Sequence, residues 1–374
     1  MLINPPNAPV EYDASLETEE PTEAATGAAM VETLRGISET TYKNSGRASR
    51  SVHAKSHGVL KATLHVAPGL PPALAQGLFA EPKSYPVTIR LSTIPGDVLD
   101  DKVSTPRGMA IKVSAENGQR LPNSDGDGTQ DFLMVNGPAF GAANAKGFLK
   151  SLKLLAATTD KVPKLKQAAS AVLRSAERAI EALGGKSARI ISLGGHPLTN
   201  VLGEIYFAQV PILYGPYIAK FSCVPVSPDL VALKNAPVDM HDNPDALRDA
   251  VKRHFSKNNS AWELRVQLCT DLQTMPIEDS SIVWPVSASS YITVARIVAP
   301  IQSVQELEVG ASDDTLSFSP WNSLNAHRPL GSINRVRRAA YQMSAGFRND
   351  HVRCPVQHLE QRNDGAGRNA SSGR

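Results

Sequence analysis

The stretch INRVRRAAYQMSAGFR, residues 333–348, sets a tyrosine between two arginines. At about 100° per residue on a helix, Ile333, Val336, Ala340, Met343 and Phe347 share one apolar stripe suited to a core. Arg335, Gln342 and Asn349 point the opposite way, toward solvent. Beside the stripe, within a wedge of roughly 40°, lie Arg337, Tyr341 and Arg348. Such a group is commonly a hydrogen-bonded surface cluster. It also has a chemical reading. A neighbouring guanidinium favours the ionised form of a phenol, and a phenolate is an anionic ligand for ferric iron. Arg348, two turns on, could reach an anionic group on whatever carries that iron.

Two other stretches bear titratable groups at suggestive spacings. In RASRSVHAKSHG, residues 47–58, His53 and His57 would need a third ligand to hold a metal. None lies nearby, and Arg47, Arg50 and Lys55 would repel a cation. The segment is then either a solvated basic loop or an imidazole acid–base with arginines beside it to receive an anion. In PVTIRLST, residues 86–93, a strand puts Val87, Ile89 and Leu91 on one face and Thr88, Arg90 and Ser92 on the other. If that second face lines a barrel interior or a cleft, Arg90 requires an anion, because an unpaired buried charge is too costly. Ser92 could then orient a nearby ring nitrogen. A further Pro-Arg-Gly turn in STPRGMAIKVS opens another strand.

The elements that must position these groups are mostly strands. Residues 58–66, 86–93, 108–114, 131–136, 217–226, 262–270 and 291–299 alternate or run apolar between Pro and Gly. No helix separates each pair, which favours an antiparallel sheet or barrel. Residues 143–185 read as a helical block broken near Pro163, with further helices near 243–256 and 331–348. Residues 1–28 are rich in Pro, Glu, Thr and Ala and read as a loose arm, and 351–374 as a flexible tail.

With 374 residues, 41% hydrophobic, 20% charged and a net charge of +3, the chain can bury a large core. Its charge gives no reason to invoke nucleic acid or an acidic membrane. Cys223, Cys269 and Cys354 lack a CxxC spacing and suit a reducing compartment. No apolar run approaches a membrane span, and the first twenty residues lack the basic and apolar regions of a signal peptide, so the cytoplasm is expected.

Taken in order, RSVHAKSHG, VTIRLSTIPG, PRGMAIKV, TQDFLMVN and RRAAYQMSAGFR resemble the haem catalases, and more closely their small bacterial catalase-like relatives. The resemblance covers residues 45–140 well and 318–348 by motif. It implies an α+β fold, a catalase-like antiparallel β-barrel with helices packed around it. Haem b would be buried between the barrel and the helix at 331–348, within one haem domain over residues 29–350. Tyrosine is the axial ligand in catalase. Carried over, Tyr341 falls on that ligand and Arg337 on the arginine that neutralises it. His53 falls on the distal histidine and Ser92 on the serine that hydrogen-bonds it. Arg50, Arg90 and Arg348 fall on the arginines that pair with the haem propionates.

The family's distal asparagine is expected in an Asn-Asn-Thr-Pro context. The stretch NSDGDGTQDF aligns it with Gly128 or Thr129, while Asn123 needs a large shift, so Thr129 and Gln130 become candidate substitutes. Without that asparagine, the resemblance implies a haem-dependent peroxidase rather than a fast catalase. It would reduce hydrogen peroxide or organic hydroperoxides through an oxo-ferryl state, using a small-molecule electron donor. The alternatives are a true catalase, a fatty-acid hydroperoxide-transforming enzyme of the allene oxide synthase kind, and a non-catalytic haem-binding protein. Val52 stands before His53, where such synthases commonly carry threonine. Neither nucleic acid nor stable membrane insertion is expected, and a homo-oligomer is compatible with these features.

Overall fold

The structure is a computed structural model, and it describes residues 8–115, 118–122, 124, 128–158, 197–303, 305–307 and 311–352. Its strands are β1 (Ser56–Val66), β2 (Ser84–Thr93), β3 (Arg107–Ser114), β4 (Thr129–Val135), β5 (Tyr206–Phe207), β6 (Ile212–Tyr214), β7 (Tyr217–Pro225), β8 (Ser260–Leu268) and β9 (Ile292–Ala299). All pair antiparallel, in the order β5-β4-β3-β2-β1-β9-β8-β7-β6. Because β5 also pairs with β7, eight strands close on themselves and β6 adds to the outside of β7. Closure removes the exposed edges that an open sheet would present. Seven of these strands match the expected apolar runs. The two short ones, β5 and β6, hold too few residues for alternation to register.

Val87, Ile89 and Leu91 turn into the barrel, where they meet Leu60, Leu64, Ile111, Phe132, Trp262 and Ile297 in the main core. Thr88, Arg90 and Ser92 therefore face outward from the wall. Arg90 and Ser92 do not reach solvent there, being 3% and 4% exposed, while Thr88 is half-buried. On that face Ser92 meets the His53 ring and Arg90 meets Asp313 of α4 (Ala311–Thr315); α1 (Glu23–Ser45), α2 (Ala145–Thr158) and α5 (Ser332–Val352) pack on one another, while α3 (Ala246–Phe255) packs on β1. The expected stripe of α5 is fully used. Val336, Ala340, Met343 and Phe347 form a second core with Met30, Leu34 and Ile37 of α1 and Ala145 and Leu152 of α2.

Helix α1 was not expected, and its sequence explains why. Thr, Ser and Gly interrupt EAATGAAMVETLRGISETTYKNS, but its hydroxyls are absorbed locally. Thr26, Thr33, Thr40, Thr41 and Ser45 each donate to the carbonyl four residues back. Gly46, at φ 68°, ends the helix by returning its amide to Tyr42 O.

Residues 8–22, read as part of a loose arm, are instead tied down. Val10 N donates to Cys269 O and Tyr12 N to Pro216 O. Glu17 accepts from the Gly331 amide at 2.9 Å and pairs with Arg335 at 2.8 Å. Arg335, expected in solvent, also binds Glu23 and Glu278. The acidic side chains sit where the start of α5 exposes its amides and attracts negative charge; Glu278 accepts from Ser332 N at 2.7 Å. Residues 1–7, the rest of the helical block (159–185), the tail from 353 and Cys354 lie outside the described residues. Cys223 and Cys269 are buried free thiols. No described helix is long and apolar enough to cross a membrane.

Two imidazoles are sealed into the body. His327 lies among Phe79, Tyr214 and Phe221, accepts from Leu78 N through Nε2, and is pushed by burial down to about 4. His57 is the extra residue of a bulge in β1 and is held well below its ordinary value, first by burial and then by Arg107 and Lys55. Below pH 6.5 the unfolded chain binds protons that these rings refuse, so stability falls as the pH drops from 6.5 toward the folded values. Urea unfolding at pH 5.0 and 7.5 is expected to show a loss of about 2 kcal/mol from His327 at the lower pH, with His57 acting in the same direction.

Candidate active site

One end of four adjacent strands gathers the chemistry. Ser56 pairs with Ser92, Ser92 with Gly108, and Gly108 with Val135. His53 lies just before this row and Asn136 just after it. The His53 backbone is left-handed, at φ 56°, a conformation that costs a non-glycine residue free energy. It is held there from two sides: its amide donates to Ile94 O at 2.6 Å, and its carbonyl accepts from Arg90 Nη1 at 3.0 Å. Its ring sets Nδ1 3.0 Å from Ser92 Oγ. A Cβ on Gly108 would lie 2.6 Å from that nitrogen, so only glycine leaves the ring this seat.

The His53 ring retains some accessible surface, yet surrounding protein drives its pKa down to about 3. Burial is the main cause, followed by the positive charges of Arg90, Arg337 and Arg50. At neutral pH the imidazole is therefore uncharged. With Nδ1 engaged by Ser92, Nε2 is the nitrogen for outside chemistry.

Arg337 links this imidazole's surroundings to the helix opposite. From α5, its Nη2 donates to Tyr341 Oη at 2.7 Å, and its guanidinium stacks 5.1 Å from the ring centroid. Its Nη1 reaches Asn334 Oδ1, and the Asn334 carbonyl accepts from Trp321 Nε1 at 2.8 Å. Tyr341 is part-buried, with its hydroxyl directed to a cation and not to bulk solvent alone.

The three remaining arginines converge on α4 and the residues after it. Arg90 donates through Nε to Asp313 Oδ1 at 2.6 Å and through Nη2 to Oδ2 at 3.2 Å. Arg50 donates to the carbonyls of Asp313 and Leu316 at 2.8 and 2.7 Å. Arg348 reaches Asp314 O and Leu316 O. Burial lowers Arg50 to about 9 and Arg348 to about 10, with Arg90 as the next cause in both; these two stay cationic at pH 7. Burial alone would raise the Asp313 carboxyl, but Arg90, Arg50 and Arg47 together bring it below its ordinary value. The more exposed Arg47–Asp314 pair closes the rim at 2.7 Å. In this cluster three largely buried guanidiniums face one buried carboxylate.

His53, Ser92, Arg50, Arg90, Arg337, Tyr341 and Arg348 are thus brought together, but Thr129 and Gln130 are not. They pair with Ser114 and Val113, six and five residues along β3 from Gly108, about 20 Å at strand rise. Their side chains do other work. Gln130 Oε1 accepts from Leu324 N and Ser323 Oγ, and Thr129 Oγ1 accepts from Lys112. Gln130 thereby anchors the segment that leads into α5. The expectation that no asparagine reaches the distal end is corrected by Asn136. Its side-chain Oδ1 accepts from Arg107 N at 2.8 Å and its backbone N–H donates to Arg107 O at 3.0 Å, which fixes it beside Gly108. The signal was present in the sequence as an asparagine two residues before Pro138, directly after the strand.

No family model matches this chain, and no curated protein does either. Solved structures do. A fungal catalase aligns at 16% identity and TM-score 0.58, over 85% of this chain and 64% of its own. A bacterial catalase aligns at 15% and 0.55, over 94% and 67%. Catalase A from Saccharomyces cerevisiae aligns at 15% and 0.55, over 85% and 65%. The chain therefore has the catalase fold and spans about two thirds of the length of these proteins.

The row at the barrel end makes Gly108 a sensitive position. Gly108→Ala is expected to displace the His53 ring from Ser92 while the barrel still folds. A crystal structure of the variant, with circular dichroism as the folding control, checks this.

Proposed function

We propose that this chain is a haem-dependent oxidoreductase that cleaves peroxides. The observation that supports this best is that one arginine, Arg337, bears on both groups. A neutral imidazole, oriented by Ser92, shares the field of Arg337, whose other end binds the Tyr341 hydroxyl.

The residues present suit a ferric porphyrin. A phenol beside a guanidinium is a ligand of the kind iron(III) takes, and the arginine cluster has an excess of buried positive charge for two ring carboxylates. Tyr341 would hold the iron, Arg337 would hydrogen-bond its oxygen, and Arg50 and Arg348 would meet the carboxylates. Arg90 holds the distal loop through the His53 and Ala54 carbonyls, and its Nε and Nη2, now on Asp313, would join Arg50 and Arg348 in meeting a carboxylate. When bound, haem supplies the ferric centre at which a peroxide O–O bond is reduced.

The chain's own residues handle the protons. With haem bound, His53 Nε2 would accept a proton from one peroxide oxygen and return it to the other, which leaves as water, the two electrons for breaking the O–O bond coming through haem from the donor that is oxidised. Ser92 keeps the ring turned for both transfers. Asn136, held through Oδ1 at the same strand end, would help position a peroxide there. Hydrogen peroxide is the simplest substrate, with organic hydroperoxides in range and a small molecule as electron donor. Asn136 also supports a second reading, dismutation of hydrogen peroxide, because it removes the reason for requiring an organic reductant.

An oxygen electrode and a phenolic donor assay on the haem-loaded protein test this. Oxygen release from hydrogen peroxide alone marks dismutation, and donor oxidation with cumene hydroperoxide marks peroxidation. Turnover of neither overturns the reading. His53→Ala is expected to keep haem and lose about 10²- to 10⁴-fold in rate. Tyr341→Phe is expected to lose most of the bound haem, measured as pyridine haemochrome.

A further inference from the structure

The arginines that would meet a porphyrin's carboxylates are already occupied from within. Asp313 makes a two-point contact with Arg90 and reaches Arg50 Nη1 at 3.4 Å. The carbonyls of Asp313, Asp314 and Leu316 take donors of Arg50 and Arg348. Two of Arg348's remaining bonds go to Ser344 on its own helix. A planar guanidinium has five N–H donors and no acceptor. Few therefore remain for an incoming carboxylate unless the 311–316 segment gives some up.

The contact is also of the type a ligand would make. A carboxylate against Nε and Nη2 of arginine is the two-point geometry that selects this residue for carboxylate recognition. Asp313 is 2% exposed, so this is an enclosed contact and not a surface ion pair. It comes from a five-residue helix that packs chiefly on α5, an element small enough to shift without disturbing the barrel.

Resting on the haem reading above, we propose that Asp313 is an internal stand-in for one porphyrin carboxylate, so that α4 and the ligand compete for the same arginines. The chain without haem keeps its buried cations neutralised, and haem binding is weakened by the fraction of chains in which α4 still holds the seat. Asp313 would then be a residue that sets affinity for the carboxylate end of the cofactor.

The test compares the full-length, haem-free chain with its Asp313→Asn variant. Each is titrated with haemin and with haemin dimethyl ester, followed by Soret absorbance and tryptophan quenching. The variant is expected to melt at a lower temperature without haem yet bind haemin roughly tenfold tighter, with the ester bound alike by both chains. Asp314→Asn is expected to leave haemin affinity within about twofold. Equal or weaker haemin binding by Asp313→Asn, or the same gain from Asp314→Asn, overturns the proposal. A lack of saturable haemin binding by the unaltered chain overturns the haem reading itself, and this proposal with it. Hydrogen exchange on the unaltered chain gives an answer independent of any variant. Amides 313–316 are expected to lose protection on haemin loading, and unchanged protection sinks the competition.

Discussion

A buried guanidinium organises this molecule. Taking an arginine charge out of water costs several kcal/mol unless its surroundings restore what the solvent supplied. Arg90 is satisfied from three directions: the carboxylate of Asp313, the carbonyl of His53 and the carbonyl of Ala54. Each partner is thereby fixed. The β2 strand supplies the cation at a register set by its apolar neighbours, and the cation in turn sets a loop and a short helix. The left-handed backbone of His53 persists because that network over-determines it. The imidazole's position is thus a consequence of where an arginine must find its acceptors.

The same logic divides the two sides of the site. On the barrel side, hydrogen bonds between strands place Ser92, Gly108 and Val135 in one row, so small errors in side-chain packing do not accumulate there. On the helix side, Tyr341 depends on how α5 beds against α1 and α2 through apolar contacts, and on how its first turn is pinned by Glu17, Glu278 and Arg335. One half is positioned by backbone geometry and the other by packing and charge. The segment 319–327 connects them: Asp131 accepts from Ser319 N and Asn322 Nδ2, Gln130 holds Ser323 and Leu324, and Trp321 reaches back to α5.

Much of this was legible in the amino-acid order. The stripe Ile333, Val336, Ala340, Met343 and Phe347 is buried as its periodicity requires, and the two faces of residues 87–92 separate as alternation dictates. What was hidden depended on partners distant in sequence. Helix α1 looks polar until its hydroxyls are seen to bond their own backbone. Arg335 looks solvent-bound until three glutamates, at positions 17, 23 and 278, arrive from elsewhere in the chain. Thr129 and Gln130 were favoured by linear alignment of a gap. The register of β3 with β4 moves the functional end to Asn136, six residues beyond Gln130. Arginine chemistry at position 90 was anticipated, but its anion was sought in a ligand when the chain provides one.

The bulge at His57 has a consequence for how this sequence can vary. Between His53 and the regular part of β1, one residue is supernumerary, and only with it counted do Leu60, Ala62 and Leu64 turn inward while Ser56 still meets Ser92. Loss or gain of a single amino acid in this short span would force a choice. Either the wall would present its oily side to the helices, or the imidazole would slide off its glycine platform. The length of this span is therefore held more tightly than the side chains on its outward face.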